Sequence, residues 1–305
     1  MRIISKLETT PRNIYTGSIG YLAPQRKATF NVAIRTALIN RETQTAEYGV
    51  GGGIVWDSTS PDEYAEALLK ARVLTESMPE FSLLETMLWA PEEGFFLREK
   101  HVARLLDSAD YFGFPFERRG GVTPPLPPQE IINVYLDEIS SGFISPQRVR
   151  LLLDKNGNLN CESKAFTPSE NRLRVCLAKE PIHSGNVFLF HKTTHRDIYA
   201  KAITSTRPSE GLSPEEHKPV DDVLLFNERG ELTEFTIGNL VVEMNGRLYT
   251  PPVSCGLLSG TLRAHLVESG QVEERTVRVE ELKDCSRIFL VNSVRKWQQV
   301  DLEFN

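Results

Sequence analysis

Cysteine is scarce in this 305-residue sequence: Cys161, Cys176, Cys255 and Cys285 lie far apart, with no CxxC pair and no histidine at finger-like spacing. That pattern excludes a structural zinc site of the finger type. The N-terminal run MRIISKLETTPRN has no basic stretch followed by an apolar one, so it does not read as a signal peptide. Reduced thiols in a cytoplasmic protein are the expectation. No apolar run approaches the roughly 20 residues that a membrane span needs. Excess positive charge is also missing. The formal net charge is -6, which provides no basic field for nucleic acid or an anionic membrane. Gly51-Gly-Gly53 is not followed by Lys-Ser/Thr, so it is no phosphate loop. There is no internal repeat and no low-complexity tract.

What remains is an ordinary globular mixture, 40% hydrophobic and 25% charged, in a chain of a length that suits about two domains. Residues 1–75 read as one unit, with strand character around 14–22, 29–39 and 48–56. A helix is predicted over 61–75: Ser58 offers a cap, Pro61 sits in the first turn, and Asp62 and Glu63 lie at the positive end of the dipole. Residues 76–80 form a short linker. From 81 a strand (81–89), a hairpin partner (94–97) and an amphipathic helix (99–112) are predicted, then a stiff proline-rich connection at 120–128. A helix over 129–140 and strands over 148–153 and 171–177 complete a smaller α/β unit that ends at 185. Residues 186–305 read mostly as short strands with turns, with helices near 260–268 and 279–282.

Three segments could carry chemistry. HKTTHRDIY at 191–199 contains Lys192, which by itself reads as a solvated lysine. GELTEFTIGN at 230–239 places Glu234 in a strand-like stretch before a glycine turn, where it is either a surface carboxylate or a buried one that needs a cationic partner. CGLLSGTLR at 255–263 is a glycine-bearing loop entering a helix, the amide-rich start that can bind phosphate, and otherwise a plain junction. Together they supply what a pyridoxal enzyme requires: a lysine for the imine, an acid for the ring nitrogen and amides for the phosphate.

With FSLLET (81–86), HVARL (101–105), NERGELTE (227–234) and Asn292-Ser293, these segments make residues 81–305 resemble class IV aminotransferases, and within them the aminodeoxychorismate lyase branch. The resemblance implies an α/β (α+β) fold of two subdomains, 81–185 and 186–305, binding pyridoxal 5'-phosphate. It implies that Lys192 is the Schiff-base lysine and proton shuttle and that Glu234 pairs with the pyridinium nitrogen. Arg104 would sit on the phosphate, with Gly260 and the amides of Thr261 and Leu262 completing the cradle. The implied activity is conversion of aminodeoxychorismate to p-aminobenzoate and pyruvate, by a homodimer. Two alternatives stay open: transamination of branched-chain or D-amino acids, and a non-catalytic fragment or partner of a p-aminobenzoate synthase.

Residues 1–75 resemble a different family, the C-terminal end of chorismate-binding synthases, through YTGSIGYL (15–22), FNVAIRT (30–36), GGGIV (51–55) and EYAE (63–66) with Lys70. In an intact enzyme Arg35, Gly52 and Lys70 would be chorismate positions, and Glu63 and Glu66, on one helix face, magnesium positions. The chain starts inside what resembles the last part of that fold. No synthase activity and no functional metal site are therefore expected here.

Overall fold

The computed structural model describes all residues except 1–3, 9–10, 76–77, 117–125, 170, 207–219 and 304–305. Most of the proline-rich connection at 120–128 therefore lies outside the described residues. The chain divides into two compact units, Met1–Pro79 and Glu80–Asn305.

The first unit holds a short helix α1 (Ile4–Leu7), a hairpin of β1 (Ser18–Ala23) and β2 (Lys27–Val32), a second hairpin of β3 (Ala37–Asn40) and β4 (Thr45–Tyr48), and helix α2 (Ser60–Thr75). The stretch 49–55, expected to be extended, forms no strand. Thr59, one residue after the expected serine, immediately precedes α2, its carbonyl accepting from Glu63 N at 3.0 Å. Burial is sparse. Among the described residues only Ala33 is a buried hydrophobic in this unit, while Leu22, Ile54 and Trp56 are exposed.

The second unit has two cores. Strands β5 (Leu83–Ala90), β6 (Gly94–Phe95), β7 (Gln147–Leu153) and β8 (Leu159–Ala165) form an antiparallel sheet in the order β6-β5-β7-β8. Helices α3 (Arg98–Phe112) and α4 (Pro128–Ser140) cover one face. The alternation of β7 explains which face: Val149, Leu151 and Leu153 turn inward against Leu105, Ile132 and Leu136. Each such side chain contributes roughly 1.5–3 kcal/mol when fully withdrawn from water.

The larger part contains β9 (Leu173–Leu177), α5 (Asp197–Thr206), β10 (Asp222–Phe226), β11 (Leu232–Phe235), β12 (Asn239–Met244), β13 (Arg247–Thr250), α6 (Thr261–Glu268), β14 (Glu273–Glu274), β15 (Arg287–Asn292) and β16 (Lys296–Glu303). The sheet order is β11-β10-β9-β16-β15-β12-β13-β14, and a further β11–β12 pairing closes the first six strands into a barrel. Leu224, Phe235, Leu240, Leu290 and Val300 belong to its core.

Two sequence expectations are corrected here. The strand placed in the smaller subdomain at 171–177 is β9, which pairs in parallel with β10 and β16 and so belongs to the barrel. Its Val175 and Cys176 are buried on opposite faces, which pairing on both sides demands. Residues 197–206, read as part of a strand-rich stretch, form helix α5, the crossover between parallel β9 and β10. Strand β8 was not foreseen; five of its seven residues are exposed, and its pattern lacks apolar alternation.

Candidate active site

Lys192 is fixed by its backbone before its side chain does anything. Its carbonyl accepts from Leu84 N at 2.9 Å, and Thr194 N donates to Ser82 O at 2.9 Å. Residues 192–194 thus lie along β5 as a short extra strand. The ammonium group projects into a cavity of about 390 Å³ whose walls come from β5, β7, α3, α5, the β11–β12 turn, the start of α6 and the β15–β16 turn. Burial and the nearby Arg104 guanidinium push the Lys192 amine down from its ordinary value to about 8.

Glu234, at the end of β11, faces the same cavity. Its Oε1 accepts from the Tyr199 hydroxyl at 2.8 Å and from Leu258 N at 3.2 Å, and its Oε2 accepts from Asn239 Nδ2 at 3.2 Å. All three donors are neutral. Burial therefore dominates and pushes this carboxyl up to about 7. Arg196 lies over the Tyr199 ring, 4.4 Å from its centroid, and Arg196 Nη2 donates to Thr236 O. The β11–β12 turn is tied down from below by Asp222, whose Oδ1 accepts from the Thr236 hydroxyl and from Thr236 N.

Arg104 lies at the cavity wall, but its guanidinium is engaged. Nε donates to Glu85 Oε1 at 2.8 Å, Nη2 to Oε2 at 2.6 Å, and Nη1 to Ser259 O at 3.0 Å. Glu85 is buried and also receives His101 Nδ1 at 2.6 Å. The two partners overcome the cost of burial and hold the Glu85 carboxyl down at about 2. His101 Nε2 in turn meets Thr261 Oγ1 at 3.2 Å. A buried chain therefore runs from Arg104 through Glu85 and His101 to the first residue of α6. Thr261, Leu262 and Arg263 occupy that helix's first turn, where backbone N–H groups have no partner within the helix. Leu262 contributes only backbone here, since its side chain packs against Val241 and Leu266. Gly260 has no room for a side chain: a Cβ would fall 1.8 Å from Asn239 Oδ1.

Lys192, Glu234, Arg104, Gly260 and Thr261 thus line one cavity, with Leu262 one position further along α6. The cavity suits an aromatic cationic ring bearing a phosphate. Glu234 is a buried acid short of a cation, and the N-terminus of α6 beside Arg104 offers amides and a guanidinium. Tyr199, Asn239, Asp222, Glu85 and His101 were given no role from the sequence. Glu85 and His101 stand in quoted motifs, but a carboxylate and a histidine 16 residues apart show nothing of their contact until α3 folds over β5.

In the first unit Gly52, Glu63, Glu66 and Lys70 come together. A Cβ on Gly52 would meet Glu63 Oε2 at 2.6 Å, Lys70 Nζ donates to Gly51 O at 3.0 Å, and it pairs with Glu66 at 2.7 Å. Glu63 accepts from the Ser58 hydroxyl at 2.5 Å. Arg35 is exposed, in a left-handed backbone conformation with φ 50°. Among the described residues no group of three or more histidines, cysteines or acids could hold a metal ion.

Residues 82–302 match the family model described as amino-transferase class IV, and the chain belongs to that family. Residues 1–76 match the model for chorismate binding enzyme. A protein of Schizosaccharomyces pombe, provisionally named an aminodeoxychorismate lyase, is 31% identical over 224 residues, which are 72% of this chain and 88% of that one. The aminodeoxychorismate lyase of Saccharomyces cerevisiae is 24% identical, covering 86% of this chain and 80% of its own length. A Mesorhizobium loti crystal structure provisionally described as an amino-acid aminotransferase superposes with a TM-score of 0.62 at 34% identity, covering 73% of this chain and 100% of that one. The first unit is 42% identical over 78 residues to anthranilate synthase component 1 of Mycolicibacterium smegmatis, which is 26% of this chain and spans only 14% of that protein.

Proposed function

We propose that the chain is a pyridoxal-phosphate-dependent aminodeoxychorismate lyase releasing p-aminobenzoate and pyruvate. The observation that carries this reading is the placement of Lys192 and Glu234 on one cavity, each driven by burial toward its neutral form. The similarity to proteins named for that lyase activity gives the substrate.

Glu234 would hold the cofactor's ring nitrogen, and the start of α6 with Arg104 its phosphate. Bound there, pyridoxal 5'-phosphate supplies a sink for the electrons left when a proton leaves the substrate. With its amine at about 8, Lys192 carries a neutral fraction near pH 7 and can accept that proton from the ring carbon bearing the substrate's amine. The enolpyruvyl oxygen then leaves the neighbouring carbon, and the ring becomes aromatic. Return of the proton to the departing enol gives pyruvate, so atoms balance between one substrate and two products. Tyr199 and Asn239 orient Glu234, and the Asp222-anchored turn keeps that wall in place.

Amino transfer is the second reading, favoured by the 34% identity to the Mesorhizobium aminotransferase along its whole length. Incubation with aminodeoxychorismate separates the two. The lyase reading requires p-aminobenzoate and pyruvate in equal amounts and none with Lys192→Ala. Amino transfer to 2-oxoglutarate without pyruvate release would replace it. Homodimerisation and a cytoplasmic location, as expected from the sequence, belong to the same proposal, and sedimentation would test the former. Among the described residues no helix is long and apolar enough to cross a membrane.

A further inference from the structure

Two buried titratable groups stand outside the chemistry assigned above. Glu85 and His101 are each 1% exposed; they touch Arg104 and Thr261, which line the Lys192 cavity, without lining it themselves. Their hydrogen bonds fix where each proton lies. Both Glu85 oxygens accept from the Arg104 guanidinium, at 2.8 and 2.6 Å, so the carboxylate is ionised and can only accept. His101 Nδ1, 2.6 Å from Glu85 Oε2, must therefore carry the hydrogen. In a neutral imidazole that leaves Nε2 as an acceptor, and the group it meets at 3.2 Å is Thr261 Oγ1. The Thr261 hydroxyl hydrogen is thus directed at His101 rather than at the cavity.

The surroundings explain why His101 is neutral without cofactor. Burial disfavours its cation most, and the Arg104 and Lys192 cations add to that effect. The Glu85 carboxylate on β5 opposes them, and α6 presents the uncharged Thr261 hydroxyl. A phosphate at the start of α6 changes this balance. Above its second ionisation, near pH ~6, it brings a double negative charge to a wall where cations outnumber anions. Imidazolium then becomes the favoured form of His101. Its Nε2 donates to Thr261 Oγ1, and the Thr261 hydroxyl is released to donate toward the phosphate.

We propose that His101 is a positioning residue that takes up a proton when the cofactor's phosphate binds, so that the cradle holds the phosphate as a dianion with the Thr261 hydroxyl as donor. The inference rests on the pyridoxal-phosphate reading and adds to it how the phosphate's charge is matched. The proton balance closes by either of two routes. A dianion binds and His101 Nε2 takes a proton from water. Alternatively, a monoanion gives its own proton to Thr261 Oγ1 while the Thr261 hydrogen passes to Nε2. Both routes end with imidazolium, hydroxyl and dianion. Because His101 binds its proton more tightly with phosphate present, phosphate binding weakens as the pH rises from the free toward the bound proton affinity.

The test titrates the cofactor-free full chain with pyridoxamine 5'-phosphate and, as the phosphate-free control, with pyridoxamine. The ratio of their binding constants cancels titrations at Glu234 and the ligand ring, which both ligands share. From about pH 7.5 to about pH 8.5 this ratio should fall about tenfold in wild type and less than about twofold in His101→Asn. The asparagine keeps a donor for Glu85 and does not ionise. Thr261→Val removes the hydroxyl with His101 in place and should flatten the ratio likewise, which covers the case of a His101→Asn chain that fails to fold. Nitrogen NMR of the imidazole rings reads the proton directly. His101 should pass from one bound hydrogen to two on addition of pyridoxamine 5'-phosphate, and not with pyridoxamine. A flat ratio in wild type, an undiminished slope in the variants, or a neutral His101 in the loaded protein overturns the inference and leaves the cofactor reading standing. If pyridoxamine 5'-phosphate binds no more tightly than pyridoxamine, the phosphate cradle itself fails, and the inference falls with it.

Discussion

Glu234 has three neutral hydrogen-bond donors and no salt-bridge partner among the described residues. Without cofactor this is an unfavourable arrangement with a definite pH dependence. Its carboxyl sits at about 7, above the ordinary 4.5, so the folded state binds its proton more tightly than the unfolded chain. That contribution is fully present below 4.5 and is lost as the pH rises through 7. Glu234→Gln should therefore raise the melting temperature of the cofactor-free protein at pH 8 and leave it nearly unchanged at pH 4.5. The shift from 4.5 to about 7 sets an upper bound of about 3 kcal/mol. Scanning calorimetry at the two pH values checks this, and equal effects at both would contradict it. With cofactor present the sign reverses, because the glutamine cannot match a cationic ring: cofactor affinity falls. Glu85 behaves oppositely. Held at about 2 by Arg104 and His101, it stays ionised throughout the working range. Burial lowers the proton affinity of His101, so it serves Glu85 as a donor more than as a countercharge; with Arg104 still paired to both carboxylate oxygens, His101→Ala should cost about 1.5–3 kcal/mol in urea unfolding.

At the scale of elements, the site is made where three of them end. The 192–194 strap brings Lys192 to β5, the β11–β12 turn brings Glu234, and the start of α6 brings the amides. Gly260 is the point at which the last two meet. Its φ of -65° is open to any residue, so backbone freedom does not explain the glycine; the 1.8 Å approach to Asn239 Oδ1 does. Gly260→Ala must displace Asn239, which also bonds Glu234 and Leu258 O. The expected outcome is a loss of stability of about 1–3 kcal/mol together with weaker cofactor binding. Fluorescence titration with pyridoxal phosphate measures the second, and full wild-type affinity would show that Asn239 has other room to move.

At the scale of the molecule, the two units differ in what holds them. Residues 80–305 contain two extensive cores and every residue of the candidate site. Expressed alone, they should keep the proposed turnover of aminodeoxychorismate within about twofold of the full chain, as domains with their own core generally do. A large loss in the truncated protein would make the first unit part of the working enzyme. Residues 1–79 expose Leu22, Ile54 and Trp56 and bury almost no apolar side chain among the described residues. Alone, they should fail to give a cooperative melting transition in circular dichroism.

Apolar periodicity alone marks the elements whose period is unambiguous, such as α3, α4 and β7. Lys192, Glu234 and Gly260 stand in motifs that carry the family resemblance, and the fold brings all three to one cavity. The tertiary structure decided what lies beside them. Strand β9 joined the barrel because parallel pairing on both of its edges is a long-range matter, absent from its own five residues. Tyr199 became a partner of Glu234 only when α5 crossed over the barrel. The like-charged row of Arg148 and Lys164 exists only in the register of β7 against β8. A one-residue slip would turn every side chain of β7 to the other face. Local chemistry is written in residue identity, but burial, and the shifts in proton affinity that follow from it, come from neighbours that only the folded chain supplies.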